Sequence, residues 1–335
     1  MTLRWAAVLV LIAITTWVGP ALVIRALVPV LEDGRRGVEN HRGRPVFLGL
    51  GIVWIVWAAG TRVALAVMHI ADSIAVSGSG RFTGGAVGAL LVSMPVVLVV
   101  GAGAFGLFDD LIGSNEVRGF RGHLSSLRRG RLTTGGLKFL GIGALSAAAA
   151  ADIVANHEMS AATSASWVLR SAWVVGIWVC ATLVIALSAN LVNLLDLRPG
   201  RALKAYSVLA VPAAFGMAWI VAVGIWRVSD PWYSAPVETF LLTAASLLIV
   251  LGPVAAVWRY DIGERGMLGD AGANAAGALA GYLLAQVLPL WGLALAAVVL
   301  LELNRSSERV SFSAVIERTP LLRAIDRLGR GSDVP

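Results

Sequence analysis

Two adjacent carboxylates, Asp109 and Asp110, directly follow a long apolar run of the sequence. Placing such a pair at the edge of hydrocarbon is costly, and the two charges repel each other, so a cation or a proton must offset them. A helix C-terminus also disfavours negative charge, which argues against an ordinary solvated helix end. The pair therefore predicts a metal-binding or catalytic role.

A second group of oxygen-bearing side chains is Asn190, Asn193 and Asp196. It stands at the end of the second apolar run that follows Asp110. Its members are three residues apart, so they fall near one face of a helix. Two amides and a carboxylate on one stripe suit a polar ligand together with Mg²⁺, which takes oxygen donors. The alternative is that the asparagines form hydrogen bonds between membrane helices.

A third group, Gly269-Asp270-Ala271-Gly272, precedes another apolar segment. The glycines permit a tight turn, and the position of Asp270 predicts that it lies near a helix N-terminus. An N-cap aspartate is the alternative interpretation when this group is taken alone.

Basic and small residues are concentrated in two loops. The longer loop runs from Arg118 to Lys138 and mixes arginine, glycine and threonine, which suits phosphate oxygens and backbone binding of an anion. Arg121 and Lys138 are its candidates for phosphate binding, although ordinary loop charge is the alternative for such arginines. Asn40 and Arg42 in the shorter loop are candidates for phosphate or nucleotide contacts.

One glycine pattern is a decoy. Gly101, Gly103 and Gly106 match the dinucleotide-binding spacing. They lie inside a predicted membrane helix and not at a strand-to-helix turn, so they predict close packing of small residues between helices.

The composition predicts an all-α, polytopic membrane protein. The chain has 335 residues, of which 58% are hydrophobic and 14% are charged, whereas soluble domains carry about 25% charged residues. Cys180 is the single cysteine, so no disulfide can form within the chain. The charges stand in clusters between apolar runs, which argues against nucleic-acid binding.

The apolar runs predict about nine membrane-spanning helices, with eight to ten compatible with the pattern. The predicted spans are 5–30, 46–70, 85–108, 135–155, 167–189, 203–226, 237–257, 272–287 and 289–304.

The basic residues predict that the N-terminus is outside and that the loops bearing the aspartates are cytoplasmic. With this orientation, all but five of the 27 lysines and arginines fall in or beside inner loops. The five exceptions are Arg4, Arg62, Arg81, Arg170 and Arg227. Residues 1–304 are therefore predicted to form one transmembrane domain, and residues 305–335 an amphipathic cytoplasmic tail on the inner leaflet.

The three aspartate-containing groups, in this order, resemble the motifs of the polyprenyl-phosphate N-acetylhexosamine-1-phosphate transferase family. Its relatives include the phospho-N-acetylmuramoyl-pentapeptide transferase and the undecaprenyl-phosphate GlcNAc-1-phosphate transferase. Asp109-Asp110 is similar to the family's paired aspartates, Asn190 to Asp196 to its Asn-x-x-Asn-x-x-Asp, and Gly269 to Gly272 to its Gly-Asp-x-Gly. The chain departs from the family where Pro199 replaces a second aspartate and where the late loop lacks a histidine-rich motif. It resembles a divergent branch.

The resemblance implies transfer of a sugar-1-phosphate, typically N-acetylhexosamine-1-phosphate, from a UDP-sugar to polyprenyl phosphate in cell-envelope glycan synthesis, with release of UMP. It implies an enzyme of the plasma (inner) membrane with its site facing the cytoplasm, in contact with membrane lipids and compatible with a homodimer. It further implies Mg²⁺, with Mn²⁺ as an alternative ion. The implied catalytic residues are Asp109, Asp110 and Asp196; the metal ligands Asp110, Asp196 and Asp270; and the substrate-binding residues Asn40, Arg42, Arg121, Lys138, Asn190, Asn193 and Asp270.

Two other classes of function are compatible with the sequence. Pro199 in place of an aspartate leaves open a catalytically inactive scaffold, or a transporter, although the aspartates cluster at one face and not in mid-bilayer. An intramembrane prenyltransferase would also use aspartates and Mg²⁺. Its motifs usually place two aspartates four residues apart, and neither Asp110 nor Asp196 has such a partner.

Overall fold

A computed structural model describes residues 2–33, 39–40, 42–77, 93–112, 122, 126, 128–131, 133–158, 167–228 and 235–330. The long helices are α1 (Thr2–Ala13), which continues through a π-helical turn (Ile14–Val18) into α2 (Gly19–Asp33), then α3 (Ile52–Ser77), α4 (Met94–Ile112), α5 (Thr134–Glu158), α6 (Trp167–Leu195), α7 (Arg201–Val228), α8 (Ala235–Ile262), α9 (Gly269–Val287) and α10 (Leu290–Ser307). Two short helices follow, α11 (Phe312–Arg318) and α12 (Pro320–Arg327), and two-residue strands are β1 (Phe47–Leu48) and β2 (Gly266–Met267).

The membrane-protein class predicted from composition is confirmed. Within the described ranges, seven helical segments are long and apolar enough to cross a membrane: Ala6–Asp33, Met94–Ile112, Thr134–Ala155, Trp167–Leu195, Arg201–Val223, Thr239–Ile262 and Leu290–Ser307. The predicted total of about nine and the orientation stay predictions.

Two helices extend beyond the apolar spans predicted for them. Helix α6 continues to Leu195, beyond the predicted end at 189, because Leu191 and Val192 are buried against neighbouring helices. Helix α9 begins at Gly269, three residues earlier than predicted. Buried residues continue past the loss of hydropathy in both stretches, so packing against protein extends each helix beyond its apolar span.

Helix α9 occupies the centre of the bundle and separates two apolar clusters. Ala276 and Leu279 belong to a cluster with Trp54 and Tyr206, while Ala278 and Tyr282 belong to one on the opposite side. Glycines make this close packing possible, since a β-carbon at Gly277 would lie 2.4 Å from the Ser188 carbonyl oxygen. Most of the helix is therefore buried by protein and not by lipid.

A short parallel pairing joins two distant loops. Strand β1 pairs with β2, with Phe47 opposite Gly266 and Leu48 opposite Met267. Gly266 leaves room for the Phe47 ring, which a β-carbon at position 266 would overlap at 2.4 Å. The pairing holds the loop before α3 beside the loop before α9, and it adds a small sheet to a fold predicted to be all-α.

Candidate active site

The site is built around the N-terminus of α9, which helix α4 approaches very closely. A β-carbon at Gly106 would lie 2.3 Å from the Asp270 carbonyl oxygen and 2.6 Å from the Ala271 nitrogen. The glycine thus allows the two backbones to touch, as the small-residue pattern of α4 predicted. One turn later along α4, Asp110 reaches the first residues of α9.

The Asp110 carboxylate caps the N-terminus of α9. The backbone N–H of Asp270 donates to Asp110 Oδ1 (3.2 Å), and that of Ala271 donates to Oδ2 (3.1 Å). These N–H groups belong to the first turn of the helix, which has no acceptors of its own and carries partial positive charge. The carboxylate that is unfavourable at the end of α4 is therefore stabilised by the start of another helix.

Asp196 approaches the same helix end from the other side. Its Oδ2 accepts a hydrogen bond from the backbone N–H of Gly269 at 2.9 Å. Gly269 has a φ of 70°, a left-handed conformation that glycine adopts readily. Three consecutive backbone N–H groups, from residues 269 to 271, thus donate to two carboxylates that are far apart in the sequence.

Lys138 joins the two remaining carboxylates. Its Nζ lies 2.6 Å from Asp109 Oδ2 and also donates to Asp270 Oδ2. Thr133 accepts a hydrogen bond from the Gly136 N–H at 3.0 Å, which caps α5 and fixes the start of the helix that carries the lysine. We call Asp109, Asp110, Asp196 and Asp270, together with Lys138, the carboxylate cluster.

The carboxylate cluster carries more negative charge than its lysine can offset. Burial raises the pKa of Asp196 well above its usual range, and the negative charges of Asp261, Asp270 and Asp110 raise it further. Four carboxylates and one ammonium group leave an excess of three negative charges when all are ionised. A bound cation would relieve this repulsion.

The donor set suits Mg²⁺ that arrives with phosphate oxygens. Among the described residues, no group of three or more His, Cys, Asp or Glu side chains is arranged to hold a metal ion. Mg²⁺ is usually held through one or two carboxylates, with phosphate and water oxygens completing the shell. Asp110 and Asp196 each accept hydrogen bonds at the N-terminus of α9, and Asp270 belongs to that helix end, so one or two of them could supply such carboxylates.

The loop after Asp196 is fixed by a second buried carboxylate, which the sequence analysis missed. Asp261 is 2% exposed, and its Oδ2 accepts a hydrogen bond from the Gly200 N–H at 2.7 Å. Gly200 has a φ of 75°, which allows the chain to turn sharply into α7. An available signal was the position of Asp261 at the end of an apolar run, as for Asp109 and Asp110.

The structure separates the two asparagines of the predicted stripe. Asn190 Nδ2 donates to Asn304 Oδ1 of α10 at 2.6 Å. This is a hydrogen bond between membrane helices, which was the alternative to ligand binding for this residue. Asn193 is half-buried and lies next to Asp196, whose N–H donates to the Asn193 carbonyl at 3.2 Å. That bond joins backbone atoms, so Asn193 lies beside the carboxylate cluster without a side-chain bond to it among the contacts described.

Asn40 and Arg42 meet a glutamate and not the carboxylate cluster itself. Asn40 Nδ2 donates to Glu264 Oε2 (3.2 Å), and Arg42 Nη1 lies 3.4 Å from Glu264 Oε1. Glu264 has a φ of 54°, unusual for a residue with a side chain, and it was not singled out from the sequence. Asn40 also lines a small cavity with Pro199 and Asp261, so these loops adjoin the Asp196 loop. Arg121 lies outside the described residues.

The tail folds back onto the loop that follows Asp196. Arg201 makes a two-pronged ion pair with Asp326 of α12, with Nε–Oδ1 at 2.8 Å and Nη2–Oδ2 at 3.0 Å. Arg330 Nη2 donates to the Pro199 carbonyl at 2.8 Å. Burial alone would raise the pKa of Asp326, but the hydrogen bond and charge of Arg201 outweigh it and lower that pKa below its usual value. The tail predicted to be amphipathic contains two short helices, because Pro320 cannot continue α11.

No protein-family model matches the chain, and no curated protein matches it.

Proposed function

We propose that this protein transfers a sugar-1-phosphate from a UDP-sugar to polyprenyl phosphate, releasing UMP. One observation carries the proposal: aspartates from three separate chain segments meet at the N-terminus of α9 together with Lys138. They are the residues that carry the resemblance to the polyprenyl-phosphate N-acetylhexosamine-1-phosphate transferases. Their convergence is what a shared diphosphate site requires, although the sequence separates them by up to 161 positions.

The cluster would act mainly by positioning and by neutralising charge, as expected for phosphoryl transfer. Asp110, Asp196 and Asp270 would hold Mg²⁺, or Mn²⁺, which would neutralise the diphosphate of the sugar nucleotide. Lys138, released from one of its two carboxylate partners, would contact phosphate oxygens. Asp109 would orient the phosphate of the lipid acceptor, which is largely ionised at neutral pH and has little need of a base.

The membrane location fits an acceptor that stays in the bilayer. Phe108 and Leu111, which flank the two aspartates of α4, are exposed apolar residues. A lipid phosphate could therefore reach the cluster laterally while its chain remains among apolar surfaces. With the orientation that the basic loops favour, this end of the bundle faces the cytoplasm, where nucleotide sugars are available.

Purified protein in detergent, supplied with Mg²⁺, polyprenyl phosphate and a panel of UDP-sugars, provides the test. We expect UMP release that requires lipid, metal and Asp196, and a loss of about 10²-fold or more in Asp196→Asn, as for removal of one preorganised charge-stabilising group. Asp152→Asn, a carboxylate of α5 that pairs with Tyr282 and not with the cluster, is the matched control.

The panel also distinguishes the other interpretations. Correctly folded protein that releases no UMP with any donor would refute the proposal and favour a scaffold, in line with Pro199 standing where the family has an aspartate. UMP release that is unchanged in Asp196→Asn would show that the cluster is not the site. The donor that supports release would name the sugar.

A further inference from the structure

A charged groove lies on the flank of the bundle between α2 and α8. It is a largely open depression of about 530 Å³, which falls within the range of small-ligand sites at about 300–1,000 Å³. Its lining combines three arginines (Arg25, Arg259 and Arg265) with Glu32, Tyr260 and the apolar residues Val28 and Pro29. None of these residues belongs to the carboxylate cluster, whose members come from α4, α5, α9 and the loop after α6.

The groove has an excess of positive charge. Arg265 donates to Glu32 Oε1 from Nη2 (2.7 Å) and from Nε (3.1 Å), so these two charges offset each other. Arg25 and Arg259 are exposed, and among the residues that the structure describes neither forms an ion pair with a carboxylate. Two guanidinium groups are therefore available to an anion, which matches the charge of a phosphate group.

Tyr260 holds two of the arginines in place. The Arg259 guanidinium carbon lies 4.6 Å from the centre of the tyrosine ring, and Arg259 Nη2 donates to the Tyr260 hydroxyl. The Arg265 guanidinium carbon lies 5.3 Å from the same ring. The ring is 3% exposed and so is itself fixed by packing. Guanidinium groups that are already oriented lose less conformational entropy when they bind a ligand.

The setting of Arg25 points to a ligand from the bilayer. Arg25 belongs to the apolar span Ala6–Asp33, where a charged side chain is costly unless it reaches polar partners at the interface. Its neighbours one turn further on, Val28 and Pro29, supply an apolar wall to the groove. A ligand with an anionic head and a hydrocarbon chain would satisfy both parts of this surface.

We propose that this groove binds the phosphate headgroup of an anionic glycerophospholipid, with Arg25 and Arg259 contacting the phosphate. Basic pockets between membrane helices are suited to such headgroups. The acceptor lipid of the proposed reaction is a less suitable occupant, because its phosphate must reach Asp109 and Lys138 on helices α4 and α5, whereas the groove is formed by α2 and α8. The site is independent of the proposed transferase activity.

Native mass spectrometry of the purified protein with phosphatidylglycerol, phosphatidylcholine, polyprenyl phosphate or inorganic phosphate tests this site. We expect phosphatidylglycerol to bind in preference to phosphatidylcholine. The double variant Arg25→Gln/Arg259→Gln should bind it about 30-fold more weakly, since each basic residue near an anionic lipid contributes about fivefold. Arg305→Gln, an exposed arginine of α10, is the matched control, and Arg25→Lys/Arg259→Lys should keep most of the binding.

Each remaining result would overturn the proposal in a specific way. Equal loss of phosphatidylglycerol in Arg305→Gln would mean general attraction to positive charge, and no loss in the double variant would place bound lipid elsewhere. Loss confined to polyprenyl phosphate would make the groove an acceptor site, and binding of inorganic phosphate alone would make it an anion site without lipid. The lysine variant keeps the test valid if the glutamine variant does not fold. Because no UDP-sugar is used, failure here leaves the transferase proposal unaffected.

Discussion

Gly106 of α4 lies directly against the backbone of Asp270, so closely that a β-carbon at position 106 would come within 2.3 Å of the Asp270 carbonyl oxygen. This contact sets the distance at which Asp110 meets the N-terminus of α9. The geometry of the carboxylate cluster therefore depends on a residue that has no side chain.

Replacing Gly106 by alanine is expected to push α4 away from α9. Overpacking of this kind costs about 1–3 kcal/mol of stability, and the hydrogen bonds to Asp110 should lengthen. We expect a lower melting temperature and reduced UMP release. Gly143→Ala is the control, because a β-carbon on this glycine of α5 would meet no atom within 4 Å. Similar behaviour of the two variants would mean that the close approach is not needed.

Replacing Lys138 by methionine is expected to strengthen Mg²⁺ binding while it lowers activity. The change removes the cation that now offsets Asp109 and Asp270, so the cluster becomes more negative. We expect Mg²⁺ to bind at least about tenfold more tightly, equivalent to about 1.4 kcal/mol, as measured by calorimetry. Lys138→Arg keeps the charge and should leave the metal affinity close to the original. An unchanged affinity in Lys138→Met would argue against a metal at this cluster.

Acid is expected to release the tail from the loop that follows Asp196. The pKa of Asp326 is lower in the folded protein than in the unfolded chain, so its ion pair stabilises the fold fully above the unfolded value of about 4. That stabilisation is lost as the pH falls through the folded pKa. After correction for the intrinsic pH dependence of amide exchange, residues 312–330 should be strongly protected at pH 7 and less protected at strongly acid pH.

The variant Asp326→Asn should show fast exchange of the tail already at pH 7. Removing one partner of a buried ion pair costs about 3–5 kcal/mol, and Arg201 would lose both of its carboxylate contacts. Glu317→Gln removes an exposed ion pair between the same tail and Arg198 and is the control, because such a surface pair contributes only about 0–1 kcal/mol. Slow exchange in Asp326→Asn would show that apolar contacts, and not this ion pair, hold the tail.

The two asparagines of α6 are expected to respond differently to substitution by leucine. Asn190 bonds to Asn304, so Asn190→Leu should lower stability by about 0.6–1.7 kcal/mol, the range of hydrogen bonds between membrane helices. The KM of Asn190→Leu for the UDP-sugar should stay within about twofold of the original value. Loss of a substrate contact worth about 1.4 kcal/mol would instead raise the KM about tenfold. Asn193→Leu, next to Asp196, should instead lower kcat/KM. A raised KM in Asn190→Leu would restore the substrate-binding role implied by the resemblance.

The sequence singled out the aspartates of the candidate site more clearly than the residues around them. Asp109, Asp110, Asp196 and Asp270 were found because carboxylates beside apolar runs are costly and therefore informative. Their mutual arrangement could not be found in this way, since it depends on contacts over 73 to 161 positions. The alternative for Asp270, an N-cap aspartate, also proved incomplete, because Asp110 and Asp196 supply the acceptors at that helix end.

The supporting residues gave weaker signals. Asp261 and Glu264 stand in a stretch that was interpreted as one polar loop, whereas α8 continues to Ile262 and buries the aspartate. Asp326 was placed in a tail expected to lie on the membrane surface. Charge and periodicity do not reveal that it pairs with Arg201, because the pairing follows from tertiary packing that local sequence does not encode.

The central position of α9 has a consequence for how the chain enters the membrane. Among the described helices, α9 is not one of the seven whose apolar character alone suffices for spanning, because its glycines and its polar residues Asp270, Asn274 and Gln286 lower its mean hydropathy. A helix of this kind gains little free energy by transfer into lipid. It is stabilised mainly by packing against helices that are already in the membrane. We therefore expect α9 to be integrated only after α4 and α6, so that completion of the carboxylate cluster marks a late step of biogenesis.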